Sequence, residues 1–290
     1  MEDVFESGSI TKHKAGIVNN IIDKISAAVG ILYADSNYKM KRESLKKICN
    51  EILQREDLDE FAKAVMISNL NQNLKHYNNQ KNIIENAIKN IDTSTDINQI
   101  DDEWLLFFFD KAKNISSEEM QKLWGKILSE EFNQPNSIPK SLIHKISIIS
   151  KNHAKTFSKL SDFLIVSDTE AFIFIYTHLY TDEYMRNGIS YSELIELESD
   201  GLLKYESSGI NAPLEKDTKF KIGNHTITVK AQEKFNLGQV SLTDDGIALF
   251  NCLNQGAVAD TISTTTAQIT LNVARELWHE NIVEDIIDEN

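Results

Sequence analysis

The sequence predicts a mainly α-helical protein that ends in a smaller α+β part. Through about residue 160, apolar residues recur at three- and four-residue spacing with few Gly or Pro, as in amphipathic helices. Short runs of β-branched and aromatic residues replace this pattern afterwards. The charge also changes there: residues 1–160 carry 22 Lys or Arg and 22 Asp or Glu, whereas residues 161–290 carry 8 and 22.

We therefore expect a helical domain at 1–160, an α+β domain at 161–255, and a linker with a C-terminal docking helix at 256–290. The 290-residue chain is 41% hydrophobic and 26% charged, as in ordinary globular proteins. No apolar run suits a membrane span, and no signal peptide is recognisable. The two cysteines lack disulfide or zinc spacing. These features predict a cytoplasmic protein.

The helical domain should contain about seven helices after a frayed segment at 1–12. The first runs from His13 to Ala34, and the next two cover 38–56 and 58–91. The basic segment 39–47 suits a solvated helix face, so peripheral membrane contact is not expected. The long third helix contains neither Pro nor Gly, which is typical of antiparallel packing. Its apolar stripe comprises Phe61, Val65, Ile67, Leu70, Leu74, Tyr77, Ile84 and Ile88.

The next two helices, within residues 101–132, are the predicted nucleus of the core because they hold two of the three tryptophans. Asp101 or Asp102 should cap the first of them, and Ser116 with Glu119 the second. Two shorter helices follow at 140–150 and 151–163, with Ser150 as the cap between them. The predicted core residues are Trp104, Leu105, Phe108, Phe109, Met120, Leu123, Trp124, Ile127 and Leu128.

In the second half, residues 163–166 and 171–176 could be strands or a buried helix, and periodicity does not decide. Ser190 and Glu193 predict a capped helix that ends at Gly201. Strands are expected at Leu203–Glu206, Lys219–Ile222, His225–Lys230 and Gln239–Leu242, followed by a helix at Asp244–Leu253 capped by Thr243. This order of elements is typical of winged-helix modules. The last helix is expected around Ala274–Ile287, with Trp278 as its anchor.

Four segments carry a resemblance to a known family: AVGILYADSNYKMKRES (28–44), YNNQKNIIENAIKNI (77–91), DDEWLLFFFDKAKNISSEEMQKLWGKILSEEFNQPNS (101–137) and SYSELIELESDGLL (190–203). Together they resemble the bacterial domain of unknown function 2806 family over about residues 20–250. The specific part is W…A…S.E.MQ.LWG.IL..E…P.S. The family has no assigned activity, so the resemblance implies a helical architecture and a bacterial cytoplasmic setting. More loosely, the helix pair is similar to the abortive-infection alpha family, which is linked to defence against phage.

The sequence favours a non-enzymatic interaction or regulatory protein, acting as a sensor or adaptor in anti-phage defence. No nucleotide-binding, serine-hydrolase or metalloprotease motif occurs, so no catalytic residue, cofactor or metal is predicted. A protein partner is expected, and a homo-oligomer is left open. The helix at 190–203 contains no Lys or Arg, so it does not suit DNA phosphates. The predicted partner-binding residues are Glu193, Glu196 and Trp278.

Two alternatives stand beside this hypothesis. The segment 140–159 has five lysines and no acidic residue, so in a nucleic-acid-associated regulator it would contact phosphates. These are Lys140, Lys145, Lys151, Lys155 and Lys159. The third possibility is an unrecognised nuclease, since Arg275 and His279 resemble the Arg-plus-His motif of helical HEPN ribonucleases, with three intervening residues instead of four to six. His144 and His153 are better read as surface residues than as metal ligands.

Overall fold

The computed structural model describes residues 3–30, 42–92, 94–163, 165–167, 172–174, 181–222, 224–254 and 264–287. The fold is mainly helical, with an antiparallel sheet in the C-terminal part. The chain forms two compact units, Met1–Lys140 and Ser141–Asn290. This division precedes the expected boundary at residue 160. None of the described helices is long and apolar enough to cross a membrane.

The first unit is built from helices α1 (Asp3–Val29), α2 (Arg42–Leu53), α3 (Glu60–Ala87), α4 (Asp102–Ala112) and α5 (Glu118–Asn133). The prediction of a frayed segment at 1–12 is wrong, because α1 already begins at Asp3. Extending an existing helix adds one hydrogen bond per residue, and no proline interrupts residues 3–12. At the other end, Gly30 adopts a φ of 69° and closes α1. The predicted continuation to Ala34 lies outside the described residues.

The predicted aromatic core of this unit is confirmed. Trp104 is 5% exposed, and Phe108, Phe109 and Trp124 are fully buried. The Phe108 ring lies 5.1 Å from that of Trp104 and 5.0 Å from that of Trp124. The α4 and α5 helices therefore bury their aromatic faces, which supplies a large share of the unit's hydrophobic stabilisation.

The helix caps match the predictions only in part. Asp101 caps α4, with its Oδ1 accepting a hydrogen bond from the Glu103 amide at 2.9 Å. The predicted Ser116 and Glu119 box is wrong: α5 begins at Glu118, and Ser117 occupies the N-cap without a side-chain hydrogen bond. Glu118 and Glu119 both lie in the first turn, where their charges suit the positive end of the helix.

Several residues of the W…LWG…E pattern hold the helices of the first unit together. A Cβ on Gly125 would lie 2.6 Å from the Cβ of Asn86, so α3 and α5 approach closely at this glycine. Gln121 is 4% exposed and donates to the Ile115 carbonyl at 2.9 Å and to Asn79 Oδ1 at 3.3 Å. Both residues therefore serve packing and hydrogen bonding between helices.

Glu131, the acidic residue of the same pattern, organises the turn after α5. It is 1% exposed, and its two carboxylate oxygens accept hydrogen bonds from the Asn136 amide at 2.8 Å and the Ile138 amide at 3.0 Å. Burial raises the pKa of this carboxyl, while the two amide hydrogen bonds act in the opposite direction. Trp104 Nε1 donates to the Ile138 carbonyl at 2.8 Å, which ties the turn to α4. The carboxylate thus has a structural role in this unit.

The second unit contains helices α6 (Lys140–Ile148), α7 (Lys151–Ser161), α8 (Thr181–Arg186), α9 (Tyr191–Ser199), α10 (Asp244–Asn254) and α11 (Thr264–Trp278). Its strands are β1 (Ile165–Ser167), β2 (Phe172–Phe174), β3 (Leu203–Leu214), β4 (Thr218–Ile222), β5 (His225–Val229), β6 (Gln232–Leu242) and β7 (Ile282–Ile287). They form one antiparallel sheet in the order β3-β6-β2-β1-β4-β5-β7. The predicted caps Ser150 and Thr243 are confirmed by hydrogen bonds from the His153 and Gly246 amides.

The sheet differs from the prediction mainly in the length of β3 and β6. Both run beyond the predicted segments and pair from Leu203↔Leu242 to Leu214↔Gln232. The register shifts three times along this pair, and Gly209 and Gly238 take φ values of 84° and 94°. Register shifts and residues such as Ser, Gly and Asn interrupt the regular alternation of apolar and polar residues that predicts a strand. The sequence therefore predicted shorter strands than the structure contains. The runs at 163–166 and 171–176 contribute β1 and β2, as the strand alternative predicts.

The last predicted helix is wrong in its position and its end. Helix α11 ends at Trp278, and Ile282–Ile287 forms β7, which pairs with β5 through Ile227↔Asp285. Four β-branched residues in this six-residue strand favour pairing over helix. The linker predicted between residue 256 and that helix is wrong from Thr264 onward, where α11 already begins, and residues 256–263 lie outside the described residues.

Trp278 anchors α11 to the sheet of its own unit. The indole is 1% exposed and lies 4.7 Å from the Phe220 ring and 5.0 Å from the Phe235 ring. Its Nε1 donates to the Asn236 carbonyl at 2.7 Å. The expectation of an anchor fits this packing, whereas partner binding by Trp278 does not, because the side chain has almost no exposed surface.

Candidate functional site

Helix α9 is held rigidly in the second unit by its cap and its buried face. Ser190 Oγ accepts a hydrogen bond from the Glu193 amide at 3.4 Å, and Glu193 Oε2 accepts one from the Ser190 amide at 2.8 Å. This reciprocal pair is the predicted capping box. Leu194 and Leu197 are fully buried. The opposite face of the helix is therefore presented in a fixed orientation.

Each of the four carboxylates of this acidic helix has a partner within the unit. Glu193 belongs to the capping box, and Glu198 Oε1 accepts a hydrogen bond from the Tyr205 amide at 2.9 Å. His153 on α7 lies between the other two: its Nδ1 is 2.7 Å from Asp200 Oδ2, and its Nε2 is 3.2 Å from Glu196 Oε2. Of the two acidic residues predicted to bind a partner, Glu196 is more exposed than Glu193, with 54% of its side-chain surface accessible to solvent.

The exposed face of α9 carries apolar side chains that sequence reasoning did not single out. Tyr191 is 53% exposed and Ile195 is 36% exposed. They are four residues apart and therefore neighbours on one helix face. The Tyr191 ring also packs edge-on against Tyr205, with 5.3 Å between the centroids. We define the α9 surface as the exposed residues Tyr191, Ser192, Ile195, Glu196 and Ser199.

A sequence signal for this surface existed. Leu194 and Leu197 define the buried side of the capped helix, and Tyr191 and Ile195 fall outside it. The four acidic residues of this helix outnumber the apolar pair, so charge was its stronger sequence signal. Because a surface-exposed tyrosine supplies a large, rigid contact area, the pair suits protein recognition better than catalysis.

Two of the five lysines of segment 140–159 form ion pairs. Lys140 Nζ lies 2.8 Å from Glu103 Oε1. Lys145 Nζ lies 2.5 Å from Asp245 Oδ2 and donates to the Gly201 carbonyl at 2.9 Å. Lys159 packs over Gly188, where its Nζ is 2.5 Å from the position of an added Cβ. Lys151 and Lys155 are exposed on α7. Lys151, Lys155 and Lys159 recur every four residues and share one exposed face of α7, whereas Lys140 and Lys145 are paired with carboxylates.

Replacing Lys145 with alanine should destabilise the second unit by about 2 kcal/mol. Asp245 is 7% exposed, and the substitution removes its ammonium partner while Ser141 Oγ, at 2.7 Å, remains. A carboxylate left in a poorly solvated site is costly, although the 30% exposure of the Lys145 side chain moderates the loss. Chemical denaturation would measure the change. Lys151→Ala is the matched control and should shift stability by less than about 0.5 kcal/mol; equal effects would contradict the structural role of Lys145.

The residues considered for catalysis also have local partners. Arg275 Nε donates to Asp285 Oδ2 at 2.6 Å, and this hydrogen bond lowers the pKa of the Asp285 carboxyl below its usual value. His279 is 70% exposed, and its Nδ1 lies 3.0 Å from the Glu276 carbonyl. His144 is exposed on α6. In the described part of the chain, no group of three or more His, Cys, Asp or Glu side chains is arranged to hold a metal ion.

Comparison with known proteins gives one match. A family model with the description "Protein of unknown function (DUF2806)" matches residues 68–260. The match spans α5, with the LWG pattern, and α9, with the exposed tyrosine. No curated protein and no solved structure matches the chain.

Proposed function

We propose that this chain, which belongs to the DUF2806 family, acts by binding another protein through the α9 surface. The observation that carries the proposal is the exposure of Tyr191 and Ile195, at 53% and 36%, on a helix whose orientation is fixed by its cap and its buried leucines. Rigid aromatic and aliphatic anchors contribute most of the energy in many protein interfaces. A pre-oriented helix also loses little entropy when it binds.

The charges around this surface indicate the chemistry of the partner. Glu196 lies within it, and residues 161–290 carry 8 basic against 22 acidic side chains. A partner that combines an apolar cleft with a basic rim would complement both features. Nucleic acid would meet repulsion from the same carboxylates. The surface therefore favours a protein over a duplex as its ligand.

A winged-helix-like arrangement remains our proposal for the surrounding module. Its support is that α9 leads directly into β3, which forms a long antiparallel ribbon with β6 before α10 begins. In modules of this kind the helix before the ribbon commonly contacts the ligand. We also propose a non-enzymatic role as a sensor or adaptor in anti-phage defence. This setting rests on the resemblance of the helix pair to the abortive-infection alpha family and remains an analogy.

The test is affinity capture from extracts of the native host, followed by measurement with the purified partner. We expect the wild-type chain to capture a protein that Tyr191→Ala/Ile195→Glu does not, because losing an interface anchor of about 2 kcal/mol weakens binding by about 30-fold. Ile148→Glu is the matched control, since Ile148 is a 72% exposed aliphatic residue on α6. A partner that binds the double variant and the wild type equally would contradict the proposal.

Electrophoretic mobility-shift assays over a salt series distinguish the nucleic-acid alternative from the proposed protein binding. Under our proposal neither duplex DNA nor RNA shifts at low salt. A shift that is lost in Lys151→Glu/Lys155→Glu would support the alternative, because phosphate contacts weaken with salt and with the loss of cations. Lys145 is unsuitable for this test, since its substitution leaves Asp245 without its ion-pair partner.

A further inference from the structure

Helices α2 and α3 contact each other and are joined by the short turn at residues 54–59, but the core between them is incomplete. Neither segment 46–53 of α2 nor segment 60–78 of α3 contains a buried side chain. The same α3 helix then changes character, since Asn79, Gln80, Ile83, Ile84 and Ala87 are all buried. The first two-thirds of α3 therefore lack the packing that its last third has in the first unit.

The exposed part of this pair is apolar over two helices. Phe61 is 78% exposed, the highest value among the large hydrophobic side chains of the described residues. Among the side chains of the pair that the structure describes, the exposed large apolar ones are Ile48, Leu53, Phe61, Val65 and Met66. The residues Ile67, Leu70, Leu74 and Tyr77 of the predicted stripe are only half-buried. Phe61 and Val65, four residues apart, share one side of α3 that α2 leaves exposed, and a four-helix bundle would cover it.

We infer that the α2–α3 pair is a homodimerisation surface, on which the same pair of a second copy packs in the antiparallel direction to form a four-helix bundle. We define the hairpin surface as Ile48, Leu53, Phe61, Val65 and Met66. Such a contact is isologous, because each copy offers the same patch. The contact would bury these side chains.

The distribution of charge identifies a second copy as the occupant. Exposed Lys46 and Lys47 lie toward the start of α2, whereas residues 54–60, the turn and the first residue of α3, carry four exposed acids against one exposed base: Glu56, Asp57, Asp59 and Glu60 against Arg55. Lys46 and Leu53, the last residue of α2, lie about 10 Å apart along the helix axis, and the acidic turn follows Leu53. Antiparallel packing sets the lysines of each copy against the acidic turn of the other. Parallel packing would set like charges together.

An anionic membrane is a poorer occupant for the same surface. Phe61 and Leu53, two of the most exposed apolar residues, flank the acidic turn. Insertion of Phe61 would bring Glu56 and Glu60 against anionic lipid headgroups, which repel carboxylates. Electrostatics thus favours the homodimer, and lipid binding becomes an outcome of the test.

Sedimentation velocity of the full chain over a concentration series at physiological salt tests the inference. We expect a dimer for the wild type and at least about a 10-fold rise in its dissociation constant for Phe61→Glu, which buries an unpaired charge at the contact. Leu106→Glu is the matched control, because Leu106 is a 51% exposed residue on α4. Circular dichroism would show whether Phe61→Glu keeps the helix content of the wild type. If the helix content of this variant falls, Val65→Glu takes its place in the test.

A charge exchange tests the direction of packing. Lys46→Glu/Lys47→Glu should weaken the dimer, and adding Glu56→Lys/Glu60→Lys to the same chain should restore it. These two acids are chosen because Asp59 caps α3 and Asp57 pairs with Arg55, whereas the pair of Glu60 with Lys63 is 3.4 Å long and its carboxylate is 91% exposed, so it contributes little. The inference is overturned by a wild-type monomer at every concentration, by a dimer that tolerates Phe61→Glu and Val65→Glu, or by no recovery in the exchanged chain. Flotation of a monomer with phosphatidylserine vesicles, lost in Phe61→Glu, would assign the surface to a membrane instead.

Discussion

Replacing Trp278 with alanine should lower the free energy of unfolding of the second unit by about 3–5 kcal/mol, the usual cost of emptying a buried tryptophan site. The indole is 1% exposed and lies against Phe220 of β4 and Phe235 of β6. Its loss opens a cavity between α11 and the sheet. Hydrogen exchange in β4 and β6 would measure the effect, since their amides should lose protection.

Trp278→Phe separates packing from hydrogen bonding at this position. Phenylalanine keeps an aromatic ring in the stack but leaves the Asn236 carbonyl without the donor that now lies 2.7 Å away. We expect it to cost clearly less than alanine. A loss below about 1 kcal/mol for Trp278→Ala would contradict the view that this residue is the main anchor of α11.

Replacing Gly246 with alanine should destabilise the second unit by about 3 kcal/mol, at the upper end of overpacking costs. An added Cβ would lie 1.9 Å from the Leu202 carbonyl oxygen and 3.4 Å from Leu242 Cβ. The carbonyl cannot easily retreat, because it accepts a hydrogen bond from the Thr243 amide at 3.1 Å. Relief therefore requires α10 or the α9–β3 junction to move. Urea denaturation followed by tryptophan fluorescence would measure the change, with Trp278 reporting on the second unit and Trp104 and Trp124 on the first.

Gly16→Ala is the control for this prediction and should act with the opposite sign. Gly16 lies within α1, and an added Cβ there has no neighbour within 4 Å. Alanine should then stabilise the helix by about 0.5–1 kcal/mol, because it restricts the unfolded chain more than glycine does. If Gly246→Ala were also neutral or stabilising, the close approach of α10 to Leu202 would be refuted.

The sequence allowed the aromatic core of the first unit to be predicted because burial there follows helical period. Trp104, Phe108 and Trp124 all lie on predicted apolar faces. Buried polar contacts could not be predicted in this way. Gln121 looks like a solvated residue in α5, and only tertiary packing reveals Asn79 and the Ile115 carbonyl as its partners.

The C-terminal strand was missed for a related reason. Ala274–Ile287 has enough apolar residues for a helix, but Ile282–Ile287 pairs with β5, and this distant partner overrides the local pattern. The same limit affected the candidate site. Charge alone pointed to Glu193 and Glu196, yet the structure uses Glu193 as a cap and pairs Glu196 with His153. Tyr191 and Ile195 became candidates once the buried face of α9 was known.

The pairing of β5 with β7 has a consequence for synthesis on the ribosome. His225 pairs with Ile287, so β5 leaves the exit tunnel well before its neighbour has been translated. Until then, Ile227 and Val229 sit in a strand with one open edge, which is a template for pairing between nascent chains. A ribosome that stalls between the two strands would release a chain prone to aggregate, and a chaperone that holds β5 would protect it.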